Sequence, residues 1–227
     1  MNMSISQIKK QARTSLKGQW GVAVLLTFIL FLLTTILPSL VEIIISGGFT
    51  NWSSQTQIPI AADILNIVIT IALIPLSTSA YWFYLTLSRL EGPQISQVFA
   101  IYKDGRTSFK VIGASILVAI FVFLWSLLLI IPGIIKSLSY SQTFFLLRDH
   151  PEFTVLEAIT ESKNRMKGYK WKFFLMNLSF IGWGILCVIT LGIGILWLAP
   201  YIATSMATFY NELIYTNDDT DNEENDL

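Results

Sequence analysis

Few side chains in this chain are placed to do chemistry, and the one that stands out is Lys136, a cation just inside the apolar run IIPGIIKSLSYSQTFFLL. Hydrocarbon cannot solvate an ammonium, so an ionisable group within a membrane-length apolar stretch is a candidate for ligand or ion traffic. Ser137, Ser139 and Ser141 follow it, and Glu42 and Asp63 flank an uncharged loop at similar depth. A Lys136 paired with either carboxylate would close the outer end of a polar pocket lined by the three serines. The competing reading is that Lys136 lays its apolar stem through hydrocarbon and leaves its charge at the outer headgroups.

Other chemistries find little support. The chain has one cysteine, Cys187, and one histidine, His150, so neither an intrachain disulfide nor a His/Cys metal cluster can be built. No paired acids lie inside an apolar segment to suggest a carboxylate metal site. His150 adjoins Asp149, but no Ser or Cys is tied to them by a nucleophile motif. Gly182, Gly184, Gly192 and Gly194 follow no strand, which rules out a dinucleotide fingerprint and leaves close helix packing and a turn. Asn177 and Ser179 read as interhelical hydrogen-bond partners. No catalytic, metal or cofactor site is expected, and the chain reads as a non-enzyme.

The elements that must position these residues follow from composition. Hydrophobic residues make up 53% of the chain and charged ones only 13%, against about 25% charged in a typical soluble domain. Mean hydropathy is +0.61. The reading is an all-α polytopic membrane protein with six transmembrane helices in three hairpins, each hairpin preceded by a short amphipathic interfacial helix. Lys and Arg do not cluster in a way that suggests nucleic acid.

Apolar runs place the crossings at about Trp20 to Ile45, Ala61 to Arg89, Phe109 to Ile131, Ile134 to Leu147, Phe173 to Thr190 and Ile195 to Ile214. Pro38 is expected to kink the first, Ser46 to Pro59 to form an exposed loop with Trp52 near the interface, and Pro132-Gly133 to make a turn. A signal peptide is the competing reading of the N-terminus, but the apolar stretch is longer than a signal core and no small-residue cleavage site follows.

Three surface segments are expected: residues 1–19, about 92–105 and 151–168. The first carries a Ser4/Gln7 capping box with Ile5, Ile8, Ala12 and Leu16 on one face; the second a stripe of Ile95, Val98, Phe99 and Tyr102. The third is capped by Asp149 and Glu152 and ends in the cluster Lys163, Arg165, Lys167, Lys170, Trp171 and Lys172, an aromatic and basic pairing suited to membrane entry. Gly18, Gly105 and Gly168 are expected to close the three segments. Residues 215–227 form an acidic tail expected to be disordered.

Lys9, Lys10, Arg13 and Lys17 precede the first crossing, and the remaining Lys and Arg fall between crossings two and three or four and five, with only Lys136 on the other side. Both termini are therefore expected in the cytoplasm, with these cations anchoring the chain to anionic headgroups there. The returning helices share a proline, then hydroxyl residues, then aromatics: Pro75 to Trp82, Pro132 to Phe144 and Pro200 to Tyr210. Small and hydroxyl residues favour close helix contact, so these three should pack centrally.

The stretches LKGQWGVAVLL, AITESKNRMKGYKWKFF and FIGWGILCVITLGIGILWLAPYIATSMATFY, with Ser162, Met166, Lys167, Gly168, Trp171, Gly182, Trp183, Gly192, Gly194, Pro200 and Tyr201, resemble the bacterial integral-membrane family known as domain of unknown function 975. The resemblance spans nearly all of the chain before the acidic tail. It implies a multi-pass protein of the bacterial cell membrane and implies no activity.

Two function classes remain. One is an accessory or scaffold protein whose partners are membrane lipids and a cytoplasmic protein. The other is a small transporter or channel for a lipid-like or small polar compound, suggested by the hydroxyl-rich helices and Lys136. A hydrated cavity reaching mid-membrane would favour the second, a dry interior the first.

Overall fold

Inside hydrocarbon a chain can satisfy its backbone N–H and C=O groups only through helices or a closed barrel. The computed structural model describes the backbone of residues 3–54 and 59–225 and the side chains as far as residue 214, and among the described residues every regular element is helical. Helix α1 (Ile5–Leu16) starts with the expected capping box: Gln7 N–H donates to Ser4 Oγ and Ser4 N–H to Gln7 Oε1. Ile8, Ala12 and Leu16 are buried while Lys10 and Lys17 are exposed. Gly18 then takes φ +83°, a left-handed turn that favours glycine.

Four stretches are long and apolar enough to cross a membrane: Trp20–Ile45, Ile60–Ser88, Gly105–Leu128 and Lys170–Ile189. They match the expected crossings one, two, three and five. The first consists of α2 (Trp20–Phe31), a π-turn (Leu32–Ile36) and α3 (Leu37–Ile45). Pro38 lacks the N–H that would bond the Thr34 carbonyl, and its ring crowds that carbonyl. The ladder widens just before it, with Leu37 N–H reaching Leu32 O. After it comes α4 (Phe49–Ser54), a short helix where an open loop was expected, with the rest of that loop, 55–58, outside the described residues. Helix α5 (Ile60–Ser88) carries Pro75 within an unbroken span.

The expected fourth and sixth crossings are not in that set of four. Where one helix was expected from Ile134 to Leu147 there are two, α8 (Ile130–Tyr140) and α9 (Thr143–Asp149). Ser162, from a helix 20 residues further on, accounts for the break. Its hydroxyl donates to Ser139 O at 2.8 Å and accepts from Gln142 N–H at 3.2 Å, so it takes the place of a turn of backbone ladder. The reversal between α7 (Gly105–Leu128) and α8 sits at the extended residue Leu129, not at Pro132-Gly133. Pro132 and Gly133 lie in the first turn of α8, where a missing N–H costs nothing. Gly133 is needed there because a Cβ on it would stand 2.1 Å from Ser126 Oγ and 3.0 Å from Ser126 Cα.

The fifth crossing is likewise divided, into α11 (Lys170–Leu178) and α12 (Ile181–Ile189). Lys9 Nζ lies 3.0 Å from Ser179 Oγ and 3.4 Å from its carbonyl, drawing that acceptor out of the helical ladder. A turn with Leu191 and Gly192 at positive φ leads into α13 (Ile195–Asn225). The backbone of the acidic tail, expected to be disordered, continues this helix through Asn225. Extending an existing helix adds one hydrogen bond per residue fixed and avoids the cost of a new nucleus.

Two expected surface-segment caps are corrected. Helix α10 (Val155–Arg165) begins with Thr154 and Glu157, whose reciprocal bonds form the capping box, and not with Asp149 and Glu152. Asp149 ends α9 and its carboxylate is occupied elsewhere. The second segment, α6 (Ile95–Phe99) followed by a 3₁₀ turn (Ala100–Lys103), is not closed by Gly105. Gly105 opens α7, which Asp104 caps by accepting from Arg106 N–H at 3.1 Å. Gly168 closes the third segment at φ +80°.

The core lies between the second half of α5, α9 and α13, with α1, α2 and α11 packed on it, and Leu16, Leu26, Leu85, Leu146, Met176, Phe209 and Tyr210 are wholly buried there. Phe123, Leu124 and Leu127 of α7 and Ile185 and Val188 of α12 are exposed. Of the proline- and hydroxyl-bearing helices, α5 and α13 pack centrally, whereas α8 leaves Ile130, Ile131, Ile134 and Ile135 exposed, and apolar side chains of α7 and α12 cover the outside.

Candidate functional site

At one end of the core, α5, α9 and α13 stop being apolar within a few residues of one another. Arg89 caps α5, Asp149 ends α9, and Tyr210 and Asn211 lie on α13. Arg89 Nη1 and Nη2 donate to the two oxygens of Asp149 at 2.9 and 2.6 Å, a bidentate pair. Its Nε donates to Asn211 Oδ1 at 3.0 Å. Tyr210 O–H donates to Asp149 Oδ2 at 3.0 Å, and Asn211 Nδ2 to Ser88 Oγ at 3.0 Å. Burial works against the Arg89 charge, but Asp149 outweighs it and raises the guanidinium further above its ordinary value.

Arg148, one residue earlier, points the other way. It donates to the Trp82 carbonyl and, at 2.5 Å, to Thr86 Oγ1, with Glu91 at 4.0 Å. Trp82 Nε1 donates in turn to Phe144 O at 2.8 Å. A cavity of about 360 Å³ opens beside Arg148, lined by Ser79, Trp82, Thr86, Glu91 and Gln97. The whole arrangement fastens three helices, and the polar groups are largely used up in doing so.

The pocket expected around Lys136 is not assembled. Lys136 Nζ sits 4.3 Å from the centroid of the Trp125 ring, and it is close enough to Lys170 for the two to repel. Among the described residues no ion pair joins it to Glu42 or Asp63. Helix α8 packs on α7, α10 and α11, whereas Glu42 and Asp63 sit on α3 and α5, which pack on each other. Glu42 accepts from Trp52 Nε1 at 3.0 Å and from Asn66 at 3.5 Å, and Asp63 lines a shallow groove with Asn66 and Thr70. Ser137, Ser139 and Ser141 bond back to Ile134, Ile135 and Leu138 carbonyls.

The basic residues divide into two kinds. Lys10, Lys17, Lys163 and Lys167 are exposed, as is Trp171, stacked on Phe174 at 5.3 Å. Arg165 Nε donates to Glu161 at 2.6 Å and Lys172 to the Met3 carbonyl. Lys9 lies 4.1 Å from the centroid of the Phe180 ring, and Arg13 lies 5.6 Å from that of Tyr201. No group of His, Cys, Asp or Glu among the described residues could hold a metal.

Sequence reasoning read Arg89 as a loop cation and Asp149 as a helix cap. The available signal was positional: Arg89, Asp149 and the Tyr210-Asn211 pair each sit near the end of an apolar run that was expected to return to the same side.

Neither curated proteins nor solved structures yield a match to the chain. A family model described as "Protein of unknown function (DUF975)" matches residues 1–139 and 127–217. These two overlapping stretches take in all but the last residues, and the chain belongs to the DUF975 family.

Proposed function

We propose that this protein is a non-enzymatic scaffold or accessory protein of a bacterial cell membrane, crossing it six times with both termini in the cytoplasm. In this reading α8 with α9 forms the fourth crossing and α13 the sixth, while α1, α6 and α10 lie at the cytoplasmic interface. The confinement of Lys and Arg other than Lys136 to three connections supports that orientation.

The observation that carries the scaffold reading is the state of the hydroxyl stripe. Ser139, Thr204, Ser205 and Thr208 are essentially unexposed, and each hydroxyl donates to a carbonyl of its own helix at 2.7 to 2.9 Å, while the buried Thr143 hydroxyl donates at 2.8 Å to Tyr140 O at the end of α8. A transport path needs such groups turned toward water or cargo, and these are turned inward. Their small size serves close helix packing instead. The competing transporter reading would place cargo beside Arg148, in the cavity at the end of α5.

Extraction of the full chain in native-lipid discs, followed by mass spectrometry, tests the reading. A protein recovered in fixed ratio to the chain is the expected result. A small polar compound retained by the parent and lost from Arg148→Gln, with no protein in fixed ratio, would support the transporter instead.

A further inference from the structure

We propose that the groove between α1, α12 and α13 seats one anionic phospholipid, with its phosphate on Lys9 and Arg13 and an acyl chain along Trp183, Leu186, Trp197 and Leu198. This deepens the scaffold reading and rests on its placement of α1 at the cytoplasmic interface.

The groove holds about 340 Å³, within the range of roughly 300–1,000 Å³ usual for small-molecule sites. Its walls are apolar, and Trp183, Leu186 and Trp197 are each about half exposed. Arg13 forms one end. Lys9 stands beside it on the same face of α1, its ammonium held at Ser179 and over Phe180. Ordinary lipid-facing helix surface has no such cationic end.

The two cations lack a counter-charge. Among the described residues neither Lys9 nor Arg13 forms an ion pair with a carboxylate. Burial, and then Arg13, lower the Lys9 ammonium from its ordinary value, so the pair is crowded as it stands. A phosphate diester placed between them would relieve both, and Trp20, also lining the groove, suits the headgroup level. Anionic lipid is concentrated in the leaflet where this reading puts α1.

Native mass spectrometry of the full chain in mild detergent, titrated with palmitoyl-oleoyl phosphatidylglycerol or phosphatidylcholine, tests the seat. One phosphatidylglycerol retained in preference to phosphatidylcholine is expected. K9Q/R13Q should weaken that retention about tenfold or more, while K163Q/K167Q, with the same charge loss, should not. Leu186→Trp fills the groove from an exposed position, keeps both cations and spares the fold, and should also lower retention. Equal retention of both lipids, or a K9Q/R13Q chain equal to the parent, overturns the proposal. So does displacement by millimolar glycerol 1-phosphate, which would mark a free-phosphate site, or a second copy of the chain in place of lipid. The lipid count does not depend on capture of any protein partner, so failure here leaves the scaffold reading intact, and the converse holds.

Discussion

Arg89 grips Asp149 with both terminal nitrogens, at 2.9 and 2.6 Å, across a gap of 60 residues in sequence. The pair is partly buried, with side-chain exposures of 28% and 18%. It joins the end of α5 to the end of α9, and Tyr210 joins α13 to the same carboxylate.

Arg89→Gln and Asp149→Asn should each destabilise the protein by on the order of 2 kcal/mol, between the values typical of exposed and fully buried pairs. The double variant should lose less than the sum, since either single change leaves a charge without its partner. Thermal unfolding in detergent measures all three. Additive losses would mean the two side chains act separately.

Ser162→Ala removes the hydroxyl that bridges α8 and α9, leaving the buried Gln142 N–H without its partner. The expected loss is about 1–3 kcal/mol, with faster hydrogen exchange at Gln142. Unchanged exchange there would show that the bridge does not hold the break.

Gly133→Ala should destabilise the α7–α8 hairpin by about 1–3 kcal/mol through overpacking against Ser126. Ser126→Gly in the same chain should restore part of the loss, because it removes the nearest atoms. A fully stable Gly133→Ala would place the hairpin contact elsewhere.

Glu157 gives a pH dependence with a definite sign. The Thr154 backbone N–H, and then its hydroxyl, hold the Glu157 carboxyl below its ordinary value. A group depressed in the folded state stabilises it above the unfolded pKa and ceases to do so as pH falls through the folded one. The start of α10 should therefore fray below the ordinary glutamate range, and Glu157→Gln, which has no charge to lose, should remove that dependence. Hydrogen exchange at Thr154 N–H, which donates to the Glu157 carboxylate, between pH 3 and 7 is the readout.

The long apolar stretches and the cap of α1 were legible in the sequence because each is local: an uninterrupted run of lipid-compatible residues, or a serine three residues from a glutamine. What the sequence did not reveal depends on residues far apart. Ser141-Gln142 looks like the middle of a helix until Ser162 arrives to replace its ladder, and Ser179 until Lys9 does. Asp149 followed by Glu152 carries a valid capping spacing, but Thr154 and Glu157 carry another, and Asp149 is drawn to Arg89. Lys136 was placed by depth alone, and depth does not say which helix α8 turns toward. It faces Trp125, and Glu42 and Asp63 belong to a different helix pair.

The closed interior is tested most directly by substituted-cysteine labelling at Ser205. In a Cys187→Ala background, Ser205→Cys and Ser139→Cys in inverted membrane vesicles, whose cytoplasmic face is outward, are exposed to a hydrophilic thiol reagent, with Ser96→Cys in the exposed α6 as reference. The scaffold reading predicts that the reagent modifies Ser96→Cys readily and leaves both core positions unmodified. Labelling of Ser205→Cys at a rate near that of Ser96→Cys would mean water reaches the centre of the helix packing, and would contradict it.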